Sequence, residues 1–162
     1  MSFAEHRLAL ARMADAPVIA ALSRGLVEAG LTPSWPADRV ARHICNADSV
    51  VLTAKRREAL SGFAIMQFGE ATAHLNLLAV DSGYQRRGLG RALLTWLEQS
   101  AVVAGTFLIE LELRASNAGA RAFYEQLGYR ETGRVPGYYQ RLEDAIRMAR
   151  DLRVSEAAPG RA

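Results

Sequence analysis

The stretch VDSGYQRRGLGRALLTWLE, residues 80–98, constrains the fold more than any other part of the chain. It joins the apolar run LNLLAV (75–80) to a segment whose Leu89, Ala92, Leu93, Trp96 and Leu97 recur with helical spacing. A strand must therefore turn directly into an amphipathic helix, with Gly88 and Gly90 at the junction. A helix start leaves backbone N–H groups without partners and carries the positive end of the helix dipole. Glycines let a ligand approach those groups, so Arg86, Arg87, Gly88, Leu89, Gly90 and Arg91 fit a pyrophosphate cradle. The spacing fits equally well a glycine-eased turn with solvated arginines. No Gly-Lys-Ser/Thr follows, so this is no Walker loop, and Gly-Leu-Gly lacks the rest of the dinucleotide fingerprint.

The remaining chain sets this junction in a single mixed α/β domain. HRLALARM alternates as a strand. Asp15 then offers an N-cap and Pro17 lies in a first turn. Val18, Ile19, Leu22 and Leu26 form an apolar stripe that stops at Gly30. LTPSWP is a loop, and PADRVARHI reads as a short helix with Val40 and Ile44 inward. SVVLTAKR, ALSGFAIMQFG and AHLNLLAV form a three-strand antiparallel meander. FLIELELR alternates strictly. The next helix is capped by Ser116 or Asn117, turns Ala120, Phe123, Tyr124 and Leu127 inward, and stops at Gly128. YRETGRV fits a strand, whereas EDAIRMARDL fits strand or helix. The expected domain spans residues 1–154, followed by an Ala-, Gly- and Pro-rich tail over 155–162.

Composition removes several function classes. No apolar run reaches the roughly 18 residues that cross a bilayer, and the start lacks a signal-peptide pattern. The lone Cys45 allows no internal disulfide, which fits a reducing cytoplasm. A net charge of +3, carried by arginine apart from Lys55, is too small to argue for nucleic acid. His6, His43 and His74 lack metal-ligand spacing. Neither metal nor membrane binding is expected, and no pattern fixes an oligomeric state.

In FLIELELR, Ile109, Leu111 and Leu113 share one face, and Leu108, Glu110, Glu112 and Arg114 share the other. A strand between two helices is ordinarily apolar on both faces. The two carboxylates therefore imply a cleft, an ion pair with Arg114, or an open sheet face. Tyr124 reads as core and Asn117 as a cap.

Taken together, these motifs resemble the GNAT acetyltransferases. LNLLAVDSGYQRRGLGRALLTWLE is similar to their acetyl-coenzyme-A-binding core, a strand followed by Gln/Arg-x-x-Gly-x-Gly and a helix. LELRASNAGARAFYEQLGYRETGRVPGYY, with EDAIRM after it, resembles the RimI-type branch, which acetylates the N-terminus of a ribosomal protein. The resemblance spans roughly residues 70–150 and implies a mostly antiparallel sheet of about six or seven strands, flanked by about four helices. It implies that Leu78, Ala79 and Val80 present backbone to the acetyl–pantetheine arm, that Arg86 to Arg91 hold the pyrophosphate, and that Asn117 bonds the arm. Glu112 takes the place of the catalytic glutamate and Tyr124 that of the catalytic tyrosine. EDAIRMAR becomes the last strand. Trp35, in the SWP loop, and Glu110 become candidates for the substrate side.

The implied activity is direct acetyl transfer from acetyl-coenzyme A to a primary amine in a ternary complex. The acceptor is a protein N-terminus, or else a polyamine, amino acid or aminoglycoside. A non-catalytic acyl-coenzyme A sensor is a further reading. Glu112, in a desolvated cleft beside Glu110, is expected to have a raised pKa and to act as base. A backbone N–H near Val80 polarises the thioester carbonyl, Tyr124 protonates the departing thiolate, and Cys45 is a poor candidate for an acetylated intermediate.

Overall fold

The computed structural model describes residues 5–85 and 88–154. The elements run β1 (Arg7–Leu10), α1 (Ala16–Leu26), α2 (Ala37–Cys45), β2 (Ser49–Arg56), β3 (Ala59–Phe68), β4 (Thr72–Val80), α3 (Leu89–Val103), β5 (Leu108–Arg114), α4 (Ala118–Gln126), β6 (Arg130–Tyr139) and β7 (Glu143–Asp151). They build a seven-stranded sheet in the order β1-β2-β3-β4-β5-β7-β6. Short turns join the antiparallel pairs β2–β3, β3–β4 and β6–β7; the β2–β3 turn places Arg57 at φ 56°. The β4–β5 pair is parallel, and α3 supplies the crossover that such a pair requires.

Strand alternation sorts the side chains into two cores. Ala64 and Met66 of β3 face one core with Leu93, Leu94, Leu97 and Tyr129. Phe63 and Ile65 face the other, with Ile19, Trp35 and Val40. β4 changes sides partway along: Ala73 and Leu75 lie in the first core, Leu77 and Ala79 in the second. The register explains this, because it passes from Met66↔Leu75 to Ile65↔Leu77 and leaves Asn76 without a partner on β3. Such a bulge bends and twists its strand. Pairing with β5 stops at the same place, at Leu75↔Leu111. Beyond Asn76, β4 therefore departs from β5 and a slot opens between them.

Several local expectations are corrected. Asp15 precedes α1 but makes no side-chain cap; it pairs instead with Lys55, its Oδ1 2.8 Å from Nζ, which ties the helix start to β2. Val18 is exposed. On α3, Leu89, Leu93 and Leu97 are buried as expected, but Leu94 joins them while Trp96 lies at the surface. The inward arc of α3 is rotated toward Leu94 and Ala101, and it also buries Glu98. That carboxylate accepts from Tyr129 Oη at 3.1 Å and Arg150 Nη1 at 2.8 Å. Asn117, not Ser116, caps α4, its side chain accepting from Ala120 N at 3.0 Å. Gly128 ends the turn at φ 93°. Residues 143–151 are the strand that the resemblance implied, paired on both edges by β5 and β6. Residues 155–162 lie outside the described residues. Among the described residues, no helix is long and apolar enough to cross a membrane.

Candidate active site

Three adjoining cavities follow the slot. The first, about 570 Å³, runs from the end of β4 to the N-termini of α3 and α4, and is lined by Val80, Gln85, Gly88, Gly90, Asn117 and Tyr124 among others. Gly88 adopts φ 83°, the left-handed conformation that glycine tolerates, and directs the chain into α3. At Gly90 a Cβ would come within 3.3 Å of Phe123 Cζ, so a glycine lets the first turn of α3 close on α4. Gln85 Nε2 donates to Val80 O at 2.9 Å and anchors the loop to the strand end. Leu78, Ala79 and Arg91 also line this groove. Leu89 is 1% exposed, so its side chain belongs to the core. Arg86 and Arg87 lie outside the described residues.

The second cavity, about 490 Å³, is the slot itself, between Asn76, Leu78 and Val80 on one strand and Glu112 and Arg114 on the other. Tyr124 lines both the first and second cavities. The third, about 360 Å³, lies under the α1–α2 loop and is walled by Glu28, Trp35, His74, Glu112, Tyr138 and Tyr139. Glu112 is shared by the second and third. A tyrosine thus stands at one junction and a glutamate at the next. Across the rim, Thr32 N donates to Gln140 Oε1 at 2.9 Å and Gln140 Nε2 donates to Thr32 O at 2.6 Å. This reciprocal pair straps the α1–α2 loop to the β6–β7 turn.

Glu112 is held by two basic side chains. His74 Nε2 contacts its Oε2, and Arg147, opposite it on β7, brings Nε within 3.3 Å of Oε1. The hydrogen bond from His74 outweighs burial and holds the carboxyl below its ordinary range. This corrects the expected rise, because the dominant neighbour is a histidine and not Glu110. His74 is displaced upward by the same bond, against the opposing effect of burial. Its Nδ1 faces Asn76 Oδ1, and a ring with an oxygen on each nitrogen is best satisfied as imidazolium. Glu110 is exposed and does not line the third cavity, although its charge helps raise His74. Arg114 serves other partners than Glu112: its Nε donates to Glu143 at 2.7 Å and its Nη1 to Ala29 O at 2.6 Å. Glu143, bonded by Ser116 and Arg114, is pulled down to about 2.

The Tyr124 ring is buried between Phe123 and Tyr129, and burial drives its hydroxyl pKa well above the usual range. A phenol in this setting keeps its proton and can donate it. Trp35 is 8% exposed and forms wall rather than rim; the Arg39 guanidinium lies 3.7 Å above its ring. His74, Arg147, Glu28, Tyr138 and Tyr139 were not foreseen. The signal for His74 was two polar residues, His74 and Asn76, two apart in an otherwise apolar strand. The others come together only through the register of β7 and the path of two loops.

The sequence model of the Acetyltransferase (GNAT) family matches residues 22–129. The chain is 46% identical over 101 residues to a ribosomal protein bS18-alanine N-acetyltransferase from Salmonella typhimurium, covering 60% of this chain and 67% of that protein. The Escherichia coli enzyme of the same name is 46% identical over 93 residues, 56% of this chain and 63% of that protein. The matches thus span about two thirds of these relatives. The crystal structure of the ribosomal-protein-S18-alanine N-acetyltransferase from Escherichia coli superposes with a TM-score of 0.79 at 31% identity, covering 96% of this chain and 99% of that one.

Proposed function

This chain belongs to the GNAT family of acetyltransferases, and on that premise we propose that it acetylates the α-amino group of a protein N-terminus by direct transfer from acetyl-coenzyme A. The observation that carries the reading is the sequence of cavities, a donor groove ending at Tyr124 and an acceptor cleft ending at Glu112, joined by one slot. The bS18-alanine N-acetyltransferases among its relatives favour an N-terminal amine over a small free amine.

The groove suits a coenzyme A arm. Beyond Asn76 the edge of β4 that faces β5 has no strand partner, so, apart from Val80 O, which Gln85 holds, its backbone groups are open to an extended ligand. The left-handed Gly88 and the close-packed Gly90 bring the unpaired N–H groups at the start of α3 to the groove surface, where an anion is stabilised. Arg91 adds charge, and Asn117 lines the same groove while capping α4. Acetyl-coenzyme A supplies an activated acetyl group as a thioester. Amide groups near Val80 oppose the charge that develops on its carbonyl oxygen.

The acceptor amine, with a pKa of about 8, arrives mostly protonated at neutral pH. Glu112 receives that proton, directly or through water, and His74 tunes the exchange: as imidazolium it holds Glu112 occupied, and as neutral imidazole it frees the pair to accept. Tyr124, kept protonated by burial, supplies a proton to the leaving thiolate. The test is thiol release from acetyl-coenzyme A over N-terminal peptides, polyamines and free amino acids, with product masses measured. Acetylation of peptide α-amines supports the reading. Turnover confined to small amines, or no turnover with any amine, overturns it.

A further inference from the structure

Beneath α3 lies a carboxylate that the acetyl-transfer scheme leaves unused. The helix turns Leu93, Leu94, Leu97 and Ala101 toward the sheet and buries Glu98, 8% exposed, among them. Glu98 Oε2 accepts from both Tyr129 Oη and Arg150 Nη1, and Tyr129 is itself 1% exposed. Burial pushes the Glu98 carboxyl up in pKa although both partners pull it down, so desolvation outweighs them. Such a network is a poor source of stability, because apolar residues of similar volume in place of a buried ion pair are often neutral or stabilising. What a satisfied polar network adds is direction: its hydrogen bonds form in one arrangement and hold the core to it.

The three groups come from three elements, and each element bears a different part of the site. Glu98 lies on α3, whose first turn brings Gly90 and Arg91 to the donor groove. Arg150 lies on β7, whose Arg147 reaches Glu112. Tyr129 follows α4 and is joined to Tyr124 twice. Its N–H donates to Tyr124 O at 3.0 Å, and the two rings meet edge to face with centroids 5.6 Å apart. We propose that Glu98 and Tyr129 are positioning residues for Tyr124: the network fixes the Tyr129 ring, and that ring fixes where the Tyr124 hydroxyl stands in the slot. The proposal rests on the reading of Tyr124 as proton donor to the leaving thiolate. Neither Glu98 nor Tyr129 lines the donor groove, the slot or the acceptor cleft, so both act through Tyr124 and not on the substrates. Arg150 completes the network and ties it to the strand that also steadies Glu112.

The test measures kinetics with whichever amine turns over best, so failure of the N-terminal reading leaves it intact. Tyr129→Phe keeps the ring against Tyr124 and removes the hydrogen bond to Glu98. It is expected to lower kcat by about fivefold or more, while acceptor KM and the Kd for coenzyme A stay within about twofold of wild type, because misplacing a reacting group slows the chemical step and not binding. A triple variant, Glu98→Leu with Tyr129→Phe and Arg150→Met, replaces the network with apolar groups. Its kcat is expected to fall at least as far, with Tm at or above the wild-type value. In a Tyr124→Phe background, Tyr129→Phe is expected to change kcat by less than about twofold, because the two residues then no longer act as a unit. Wild-type kcat in Y129F or in the triple variant overturns the proposal. So does a triple variant in which Tm, kcat and coenzyme A binding fall together, since the network would then only hold the fold. An undiminished effect of Y129F in the Y124F background overturns it too. Wild-type kcat in Y124F alone removes the proton donor, and the proposal with it, whatever the acceptor is. A readout without turnover comes from NMR of protein with its tyrosines isotope-labelled at Cζ, the Tyr124 line being assigned by its loss in Y124F. In the coenzyme A complex Y129F is expected to shift or broaden that line, and an unmoved line overturns the proposal. Where no amine turns over, the N-terminal reading fails and this line alone decides the role of Glu98 and Tyr129.

Discussion

Glu112 and His74 share a site whose charge depends on both, so their substitutions separate by pH. Glu112→Gln is expected to lower kcat by about 10²–10⁴, the usual weight of a positioned general base, while coenzyme A affinity by calorimetry stays close to wild type. An unchanged kcat would remove Glu112 as the proton acceptor. Because the ring of His74 is displaced above 6.5, wild-type activity is expected to rise with pH through a point above that value. With the same acceptor, His74→Gln should move or abolish that limb, and an unmoved limb would assign the titration to the amine alone. The stability of the pair has the opposite bias. The raised His74 stabilises the fold below about 6.5 and loses this as pH climbs through its folded value. The lowered Glu112 stabilises above about 4.5 and loses this as pH falls. The Tm difference between wild type and His74→Gln should therefore be largest between those two pH values and shrink on either side. None of this was legible from FLIELELR alone. Alternation placed Glu112 on a polar face correctly, but the sign of its pKa shift comes from a β4 residue and a β7 residue that only the register brings near.

At the scale of elements, local patterns carried most of the information. The meander, the strict alternation of β5 and the glycine stop of α4 each depend on residues close in sequence, and each appears as expected. The Asn76 bulge was invisible, because one extra residue in an apolar strand alters no period strongly enough to read. Yet it is what opens the slot. The α3 stripe shows a milder limit: two adjacent helical arcs, one through Trp96 and one through Leu94, fit the same spacing, and the sheet selects the second. Leu94→Ala should cost about 2–5 kcal/mol in urea unfolding, as for a fully buried leucine, and Trp96→Ala less than half as much. The reverse order would mean that the helix faces the sheet along the other arc. At the donor end, Gly90→Val should weaken coenzyme A binding, and part of that loss will come from displacing Phe123 rather than from blocking the ligand. Arg91→Ala, which leaves this packing intact, should weaken binding less if backbone N–H groups do most of the anion recognition.

Across the whole molecule, the donor groove and the acceptor cleft lie on either side of one slot, and both cores meet at the sheet that contains it. A ligand bridging β4 and α3 should stabilise the folded state as a unit. At about one hundred times its Kd, acetyl-coenzyme A is expected to add about 2.7 kcal/mol, or roughly 5–10 °C in Tm for a domain of this size. No shift would argue that the groove does not hold the donor. The strand order has a further consequence, for the time at which the protein can begin to work. β7 leaves the ribosome last among the strands, yet it fills an interior place between β5 and β6. Until it arrives, β6 has no neighbour to join, and neither its end at Tyr138 and Tyr139 nor the turn at Gln140 can be held over the acceptor cleft. A nascent chain halted near residue 127 already contains every described donor-side residue but only part of the acceptor side. Synthesis thus delivers the residues of the donor seat before those of the acceptor seat, and the emergence of β7 sets the moment at which transfer becomes possible.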